Sequence, residues 1–279
     1  MERKMTLEDK AIQSLTTKFS SDILKPFYDG IEKYKLISKG DRIAVCVSGG
    51  KDSAILAMLM KWYEKNKGGV TVKFISMDPG YTDEHRRMLE ENCKRLGIDA
   101  EFFETDILAC TEKTNKSPCG ICARMRRGWL YRKAKEAGCN KIALGHHFDD
   151  VIETTLMGML YGAQIQGMLP RLKSRNFEGM ELIRPMYMVS EDAIIRWSEY
   201  NGLEFITCAC KYAQGEDASK RAEVKALISQ LEKTNPRVRK NIFNSIHNAD
   251  CDTLVGYKVG WERHSFLERF EENVLDKDI

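Results

Sequence analysis

The stretch Arg42–Ser53, RIAVCVSGGKDS, decides how the chain is read. Its first half is rich in Val and Ile and reads as a strand; the nearly all-apolar run Ala54–Tyr63 that follows reads as a helix. Between them lie Gly49 and Gly50, which let the backbone approach an anion with no Cβ in the way. The following helix offers unpaired N–H groups and the positive end of its dipole. Lys51 adds a point charge, and Ser48 and Ser53 add hydroxyl donors. Asp52 either holds Mg²⁺ between phosphate oxygens or caps the helix. The loop is not a Walker A motif, which requires Gly-x-x-x-x-Gly-Lys followed by Ser or Thr.

Outward from this loop, strand and helix patterns alternate. Val70–Met77, Ala100–Glu104 and Lys141–Leu144 read as strands; Asp83–Gly97, Cys122–Ala137 and Asp149–Tyr161 read as helices. Asp150-x-x-Glu153 has the form of a capping box. The alternation predicts βαβ units: an α/β fold with a mostly parallel sheet and helices on both faces. Residues 7–37 read as one or two amphipathic helices, and two more follow Asp217, at Ala218–Lys233 and Pro236–Asn248. The expected organisation is N-terminal helices (1–37), a nucleotide-binding α/β domain (38–205), a helical C-terminal region (206–260) and an acidic tail (261–279), with Glu271–Ile279 expected to be disordered.

The 279 residues, 43% hydrophobic and 30% charged, suffice for a core without disulfide or metal staples and exclude general disorder. The longest apolar run, Ala54–Met60, is far short of a membrane helix, and MERKMTLEDK lacks the apolar core of a secretory signal. A cytoplasmic protein is expected, with no membrane partner. Nine cysteines in such a setting do not suggest a disulfide framework. Cys46, Cys93 and Cys139 sit on apolar segments and read as small buried hydrophobes. Cys119-x-x-Cys122, in a loop opening a basic helix, and Cys208-x-Cys210 are close pairs suited to a redox, zinc or iron–sulfur site. The net charge is only +3, but Lys113–Lys141 carries nine basic residues and one acidic residue. Arg124, Arg126, Arg127, Arg132 and Lys133 suit a polyanion there, with Trp129 and Tyr131 placed to stack on bases, Trp129 alternatively anchoring the core.

Ser-Gly-Gly-Lys-Asp-Ser after a strand resembles the phosphate loop of the N-type ATP pyrophosphatases (the PP-loop superfamily), whose members adenylate an oxygen to make it a leaving group. Gly145-His146-His147-x-Asp149-Asp150 and Met77-Asp78 resemble the segments lining that nucleotide site. Adding Cys119-x-x-Cys-Ala-Arg-Met-Arg-Arg-Gly-x-Leu-Tyr131 and Tyr161-Gly-x4-Gly-Met-Leu-Pro170, the chain resembles the tRNA-cytidine(32) 2-sulfurtransferases over roughly residues 17–248.

The resemblance implies ATP and Mg²⁺ bound by Ser48–Ser53, Met77, Asp78, Gly145, His146 and Asp150, with Lys51, Asp52 and Asp149 catalytic. It also implies a [4Fe–4S] cluster on Cys119, Cys122 and a later cysteine. Register from the Pro236 helix favours Cys210 over Cys208, although family members often have Pro-Cys-x-x-Cys there. Three ligands leave one iron open to hold sulfide, which attacks the adenylated C2 of cytidine. The implied partners are a tRNA anticodon loop, a sulfur donor such as a cysteine desulfurase and a second copy of the chain. Alternatives are another adenylating enzyme of the superfamily, such as a lysidine-type ligase or a different thiolase, and a non-catalytic RNA-binding module stapled by zinc.

Overall fold

The computed structural model describes residues 5–107, 118–205 and 216–271; the side chains of 118–120, 216–219 and 271 are not among those described. Six strands form one sheet: β1 (Arg42–Cys46), β2 (Thr71–Asp78), β3 (Ala100–Glu104), β4 (Lys141–Ala143), β5 (Arg171–Lys173) and β6 (Glu181–Ile183). Their order is β3-β2-β1-β4-β6-β5, parallel throughout except for the edge strand β5. The α/β expectation therefore holds.

The central strand shows why. Ile43 and Val45 join one buried cluster while Ala44 and Cys46 join another on the opposite face. A parallel strand covered on both sides needs such a continuous apolar run. The first face is covered by α1 (Leu7–Thr16), α2 (Lys25–Lys33), α3 (Lys51–Lys67), α4 (Asp83–Arg95) and a later helix, α7 (Glu191–Tyr200). Helix α3 is buried continuously from Ser53 to Met60 because it lies between the sheet and α1 and α7. A π-helical turn, Ser20–Leu24, joins α1 to α2 and buries Ile23. The opposite face carries α5 (Pro118–Glu136).

A third cluster packs α6 (Phe148–Gly162) against α8 (Glu216–Glu232) and α9 (Val238–Ser245), through Val151, Ile152, Val224, Ile228 and Phe243. Pro236 precedes α9 by two residues rather than entering its first turn. Strands β5 and β6, three residues each, and helix α7 lie where the sequence carries no strong pattern. So do a hairpin, β7 (Gly256–Val259) with β8 (Glu262–Ser265), and the short helix α10 (Phe266–Glu271). Residues 272–279, most of the segment expected to lack structure, lie outside the described residues. No helix among the described residues is long and apolar enough to cross a membrane.

Candidate active site

The loops after β1, β2, β4 and β6 all leave the sheet at the carboxyl ends of its parallel strands. The chain's progression reverses between β1 and β4, and such a switch point opens the crevice in which doubly wound sheets bind ligands. Two glycines shape it. Gly49 has φ +85°, a left-handed conformation that side chains disfavour. A Cβ on Gly145 would lie 3.1 Å from the backbone carbonyl of Asp52, so glycine lets the β4 loop touch the phosphate loop. The result is a cleft of about 700 Å³.

Ser48, Asp52, Ser53, Met77, Gly145, His146 and Asp150 line this cleft. The Ser53 hydroxyl donates to the Gly50 carbonyl at 2.9 Å and accepts the Ser48 N–H at 3.0 Å, so it shapes the loop from within. Lys51 Nζ lies 3.1 Å from both Asp52 Oδ1 and Glu191 Oε1. Burial alone would lower its pKa, but Asp52 and Glu191 outweigh that and hold the ammonium above the usual lysine value. Asp78 does not line the cleft; its Oδ1 accepts the N–H groups of Gly80 (2.8 Å) and Tyr81 (2.7 Å) and closes a turn. Asp149 is also outside the lining: it is buried, accepts the Glu191 N–H at 2.7 Å and pairs with Arg239. Burial raises its pKa despite these partners.

The capping box at α6 sits three residues earlier than the sequence reading placed it. His147 is the N-cap, with its Nδ1 accepting the Asp150 N–H, and Asp150 Oδ2 accepts the His147 N–H at 3.0 Å. Glu153 instead takes Arg221, 3.1 Å away, which also reaches Asp150 at 2.9 Å. His146 Nδ1 has no hydrogen-bond partner among the described residues. Burial, with Arg184 next, pushes its imidazole down to about 4, so it is neutral at physiological pH.

The basic helix α5 begins at Pro118, so Cys119-x-x-Cys122 occupies its first turn and not a preceding loop. Proline is favoured there because its missing N–H would be unpaired in any case. The side chain of Cys119 and all of Cys208 and Cys210 lie outside the described residues; Cys122 is a half-buried free thiol. Immediately beyond it, Ala123, Arg126 and Arg127 line the cleft. Arg124, Arg127 and Arg132 are exposed, while Lys133 pairs with Glu136 at 3.1 Å. Tyr131 corrects one expectation: it is buried and stacked on Phe177 (5.3 Å between centroids), which removes it from base stacking. Trp129 is half-buried beneath Arg132, 4.8 Å from its ring. Burial raises the thiol pKa of Cys46 far above normal and that of Cys93 to about 11, which suits core residues and not metal ligands.

Several site residues carry no motif. Tyr81 donates from its hydroxyl to the Ser48 carbonyl at 3.2 Å. Glu191, at the start of α7, links Lys51 to Lys225 of α8, 2.5 Å away, and the two lysines outweigh burial to hold it down at about 2. Arg184, directly after β6, is only 6% exposed and lines the cleft; its Nη1 donates to the Leu169 carbonyl, and burial lowers its pKa to about 10. These residues are scattered singly over more than 100 positions, so no local pattern could have singled them out.

The donor chemistry fits a divalent cation at the loop. Asp52 Oδ1 is buried beside the phosphate-loop cleft and meets no hydrogen-bond donor in good geometry among the described residues; its one close cation, the Lys51 ammonium at 3.1 Å, would share this hard oxygen with Mg²⁺. For an iron–sulfur cluster, the one described member of the proposed set, Cys122, is unpaired and stands beside the cleft-lining Ala123.

Comparison with known proteins gives the family and the fold. The PP-loop domain family matches residues 15–214. The tRNA-cytidine(32) 2-sulfurtransferase of Paraburkholderia phytofirmans is 36% identical over 238 residues, 83% of this chain and 69% of that protein. The namesake from Citrifermentans bemidjiense is 37% identical over 78% of this chain and 86% of its own length. Among solved structures, a U34-tRNA thiolase from Methanococcus maripaludis with its [4Fe-4S] cluster shares the fold at a TM-score of 0.64 and 20% identity, covering 91% of this chain and 88% of that one. The chain belongs to the tRNA-cytidine(32) 2-sulfurtransferase family of PP-loop enzymes.

Proposed function

We propose that this enzyme thiolates cytidine 32 in the anticodon loop of tRNA, using ATP, Mg²⁺ and an iron–sulfur cluster in a cytoplasmic setting. One observation carries the reading: the helix that opens with Cys119 and Cys122 forms a wall of the same cleft as the phosphate loop, through Ala123, Arg126 and Arg127. An activating nucleotide and a sulfur-presenting group would thus face one substrate base.

In this reading the loop N–H groups at the start of α3 and Lys51 hold the β- and γ-phosphates, and Asp52 holds Mg²⁺. The cytidine O2 attacks the α-phosphate and pyrophosphate leaves; sulfide then adds at C2 and AMP leaves with the oxygen. Cys119, Cys122 and Cys210 would hold a [4Fe–4S] cluster, which supplies an iron able to bind sulfide. The neutral His146 contributes a hydrogen-bonding group without adding charge beside the phosphates. Asp149, turned from the cleft, acts by fixing Arg239 and the Glu191 backbone. The exposed Arg124, Arg127 and Arg132, with Lys133, take RNA phosphates, and the base leaves its stack to enter the cleft. A cysteine desulfurase-type sulfur donor and a homodimeric state complete the reading.

The stoichiometry of ATP cleavage tests it. Protein prepared without oxygen should release pyrophosphate only when tRNA is present, and release an equal amount of AMP over repeated turnovers only when sulfide is present as well. Cys119→Ser should lose iron and acid-labile sulfide while retaining ATP binding. Formation of ADP and phosphate, or AMP release indifferent to sulfide, would exclude the mechanism.

A further inference from the structure

The cleft holds more positive charge than its phosphate loop accounts for. Of its four lining arginines, Arg221 is neutralised by Asp150 and Glu153 at 2.9 and 3.1 Å. Arg126 and Arg184 have no carboxylate within salt-bridge distance among the described residues. The Nε atoms of both are buried without a hydrogen-bond partner among the described residues, as is Nδ1 of the cleft-lining His146. Arg184 is more than nine-tenths buried and fixed at one end by the Leu169 carbonyl. Buried polar atoms normally find partners, and a guanidinium buried without an anion is costly. Three such nitrogens belong to residues lining one open cleft, which describes a site missing its ligand.

From these unpaired donors we infer that Arg126 and Arg184, with His146, form a second anion subsite that takes a phosphate ester distinct from the pyrophosphate portion held by the Ser48–Ser53 loop. The planar guanidinium fork matches phosphate oxygens in a way that a lysine would not. Two sources supply this chemistry: the α-phosphate of the nucleotide and a backbone phosphate of the RNA. Arg184 directly follows the strand that pairs with β4, whereas Arg126 comes from the Cys-x-x-Cys helix. The subsite therefore joins the nucleotide wall to the cysteine wall across the cleft. This inference rests on the cleft being the ATP and tRNA site.

The test measures binding of pyrophosphate, ATP, AMP and a single-stranded RNA oligonucleotide to the full chain and to Arg184→Met, Arg184→Lys and Arg126→Met. Arg126→Met guards against misfolding, since Arg126 has no backbone anchor comparable to the Arg184–Leu169 bond among the described residues. Both Met variants should weaken AMP, RNA or both by about tenfold or more, as expected for loss of a charged hydrogen bond, with pyrophosphate binding retained. Arg184→Lys should recover only part of the loss. A loss confined to AMP assigns the α-phosphate, and a loss confined to RNA assigns the backbone phosphate; either upholds the subsite. Unchanged AMP and RNA affinities in the Met variants, an equal loss of pyrophosphate, or no AMP or RNA binding by the unaltered chain would overturn it. If the unaltered chain failed to bind ATP while the AMP or RNA losses appeared, the ATP reading would fail and the subsite would stand.

Discussion

The two ends of the sheet each bury a cation and treat it differently. At the amino end of β4, Lys141 is 2% exposed and surrounded by Asp41 (2.7 Å), Glu181 (3.3 Å) and the Leu36 carbonyl (2.8 Å). At the carboxyl end of the neighbouring β6, Arg184 is nearly as buried but has no carboxylate partner among the described residues. The first end is electrostatically complete within the chain. The second is complete only when something negative enters. The difference separates charge that holds the fold together from charge reserved for ligands, and each kind should fail differently when removed.

The largest expected effect lies at the ligand end. Lys51→Ala removes the cation of the phosphate loop and should lower tRNA-dependent AMP formation by about a thousandfold, an electrostatic loss of the usual size for a transition-state contact. Iron content should stay unchanged, and a variant retaining a tenth of the rate or more would remove Lys51 from the mechanism. At the opposite end, Lys141→Met should cost about 3 kcal/mol of unfolding free energy, the lower part of the range for a broken buried pair. The loss is limited because Asp41 keeps Asn140 and the Ser38 N–H, while Arg171 keeps both oxygens of Glu181. ATP affinity should not change. A stable Lys141→Met that binds ATP poorly would invert the comparison between the two ends.

A smaller effect concerns Glu191, which bridges Lys51 and Lys225. Its pKa is held at about 2 in the folded chain against an ordinary 4.5. Its contribution to stability is therefore present above about pH 4.5 and lost as pH falls toward 2. Denaturant titrations should show a shallower acid-side loss in Glu191→Gln within that window, and identical slopes would refute the bridge. The smallest effect is expected at the exposed Arg127. Arg127→Ala should reduce tRNA affinity several-fold and lower the salt slope by about 1. An unaltered slope would take Arg127 out of the RNA surface.

Legibility followed the same division. The phosphate loop and the strands around it could be read because each signal is local: Ala100–Glu104 is a strand to the residue, and α3 and β2 differ only at their ends. The basic helix was legible, but its start was not, since Pro118 suits a loop and a first helical turn equally. At α6 the sequence offers two acidic boxes in overlapping register, and the side chain of His147, a less obvious cap than Asp150, fixes the earlier one. The three-residue strands β5 and β6 are too short for any period to show, yet β6 delivers Arg184 to the cleft. Arg221, Lys225 and Arg239 reach Asp150, Glu191 and Asp149 only because α8 and α9 pack on α6 through Val224, Ile228 and Phe243. Such contacts are products of the tertiary fold and leave no trace in local spacing.

The most direct test of the central claim is mass spectrometry of tRNA nucleosides, with the modified position mapped by fragment analysis. The anaerobic enzyme would be incubated with unmodified tRNA, sulfide and ATP. The account predicts 2-thiocytidine confined to position 32, absent without ATP and absent with Lys51→Ala. Sulfur at another nucleoside, or 2-thiocytidine formed without ATP, would contradict it.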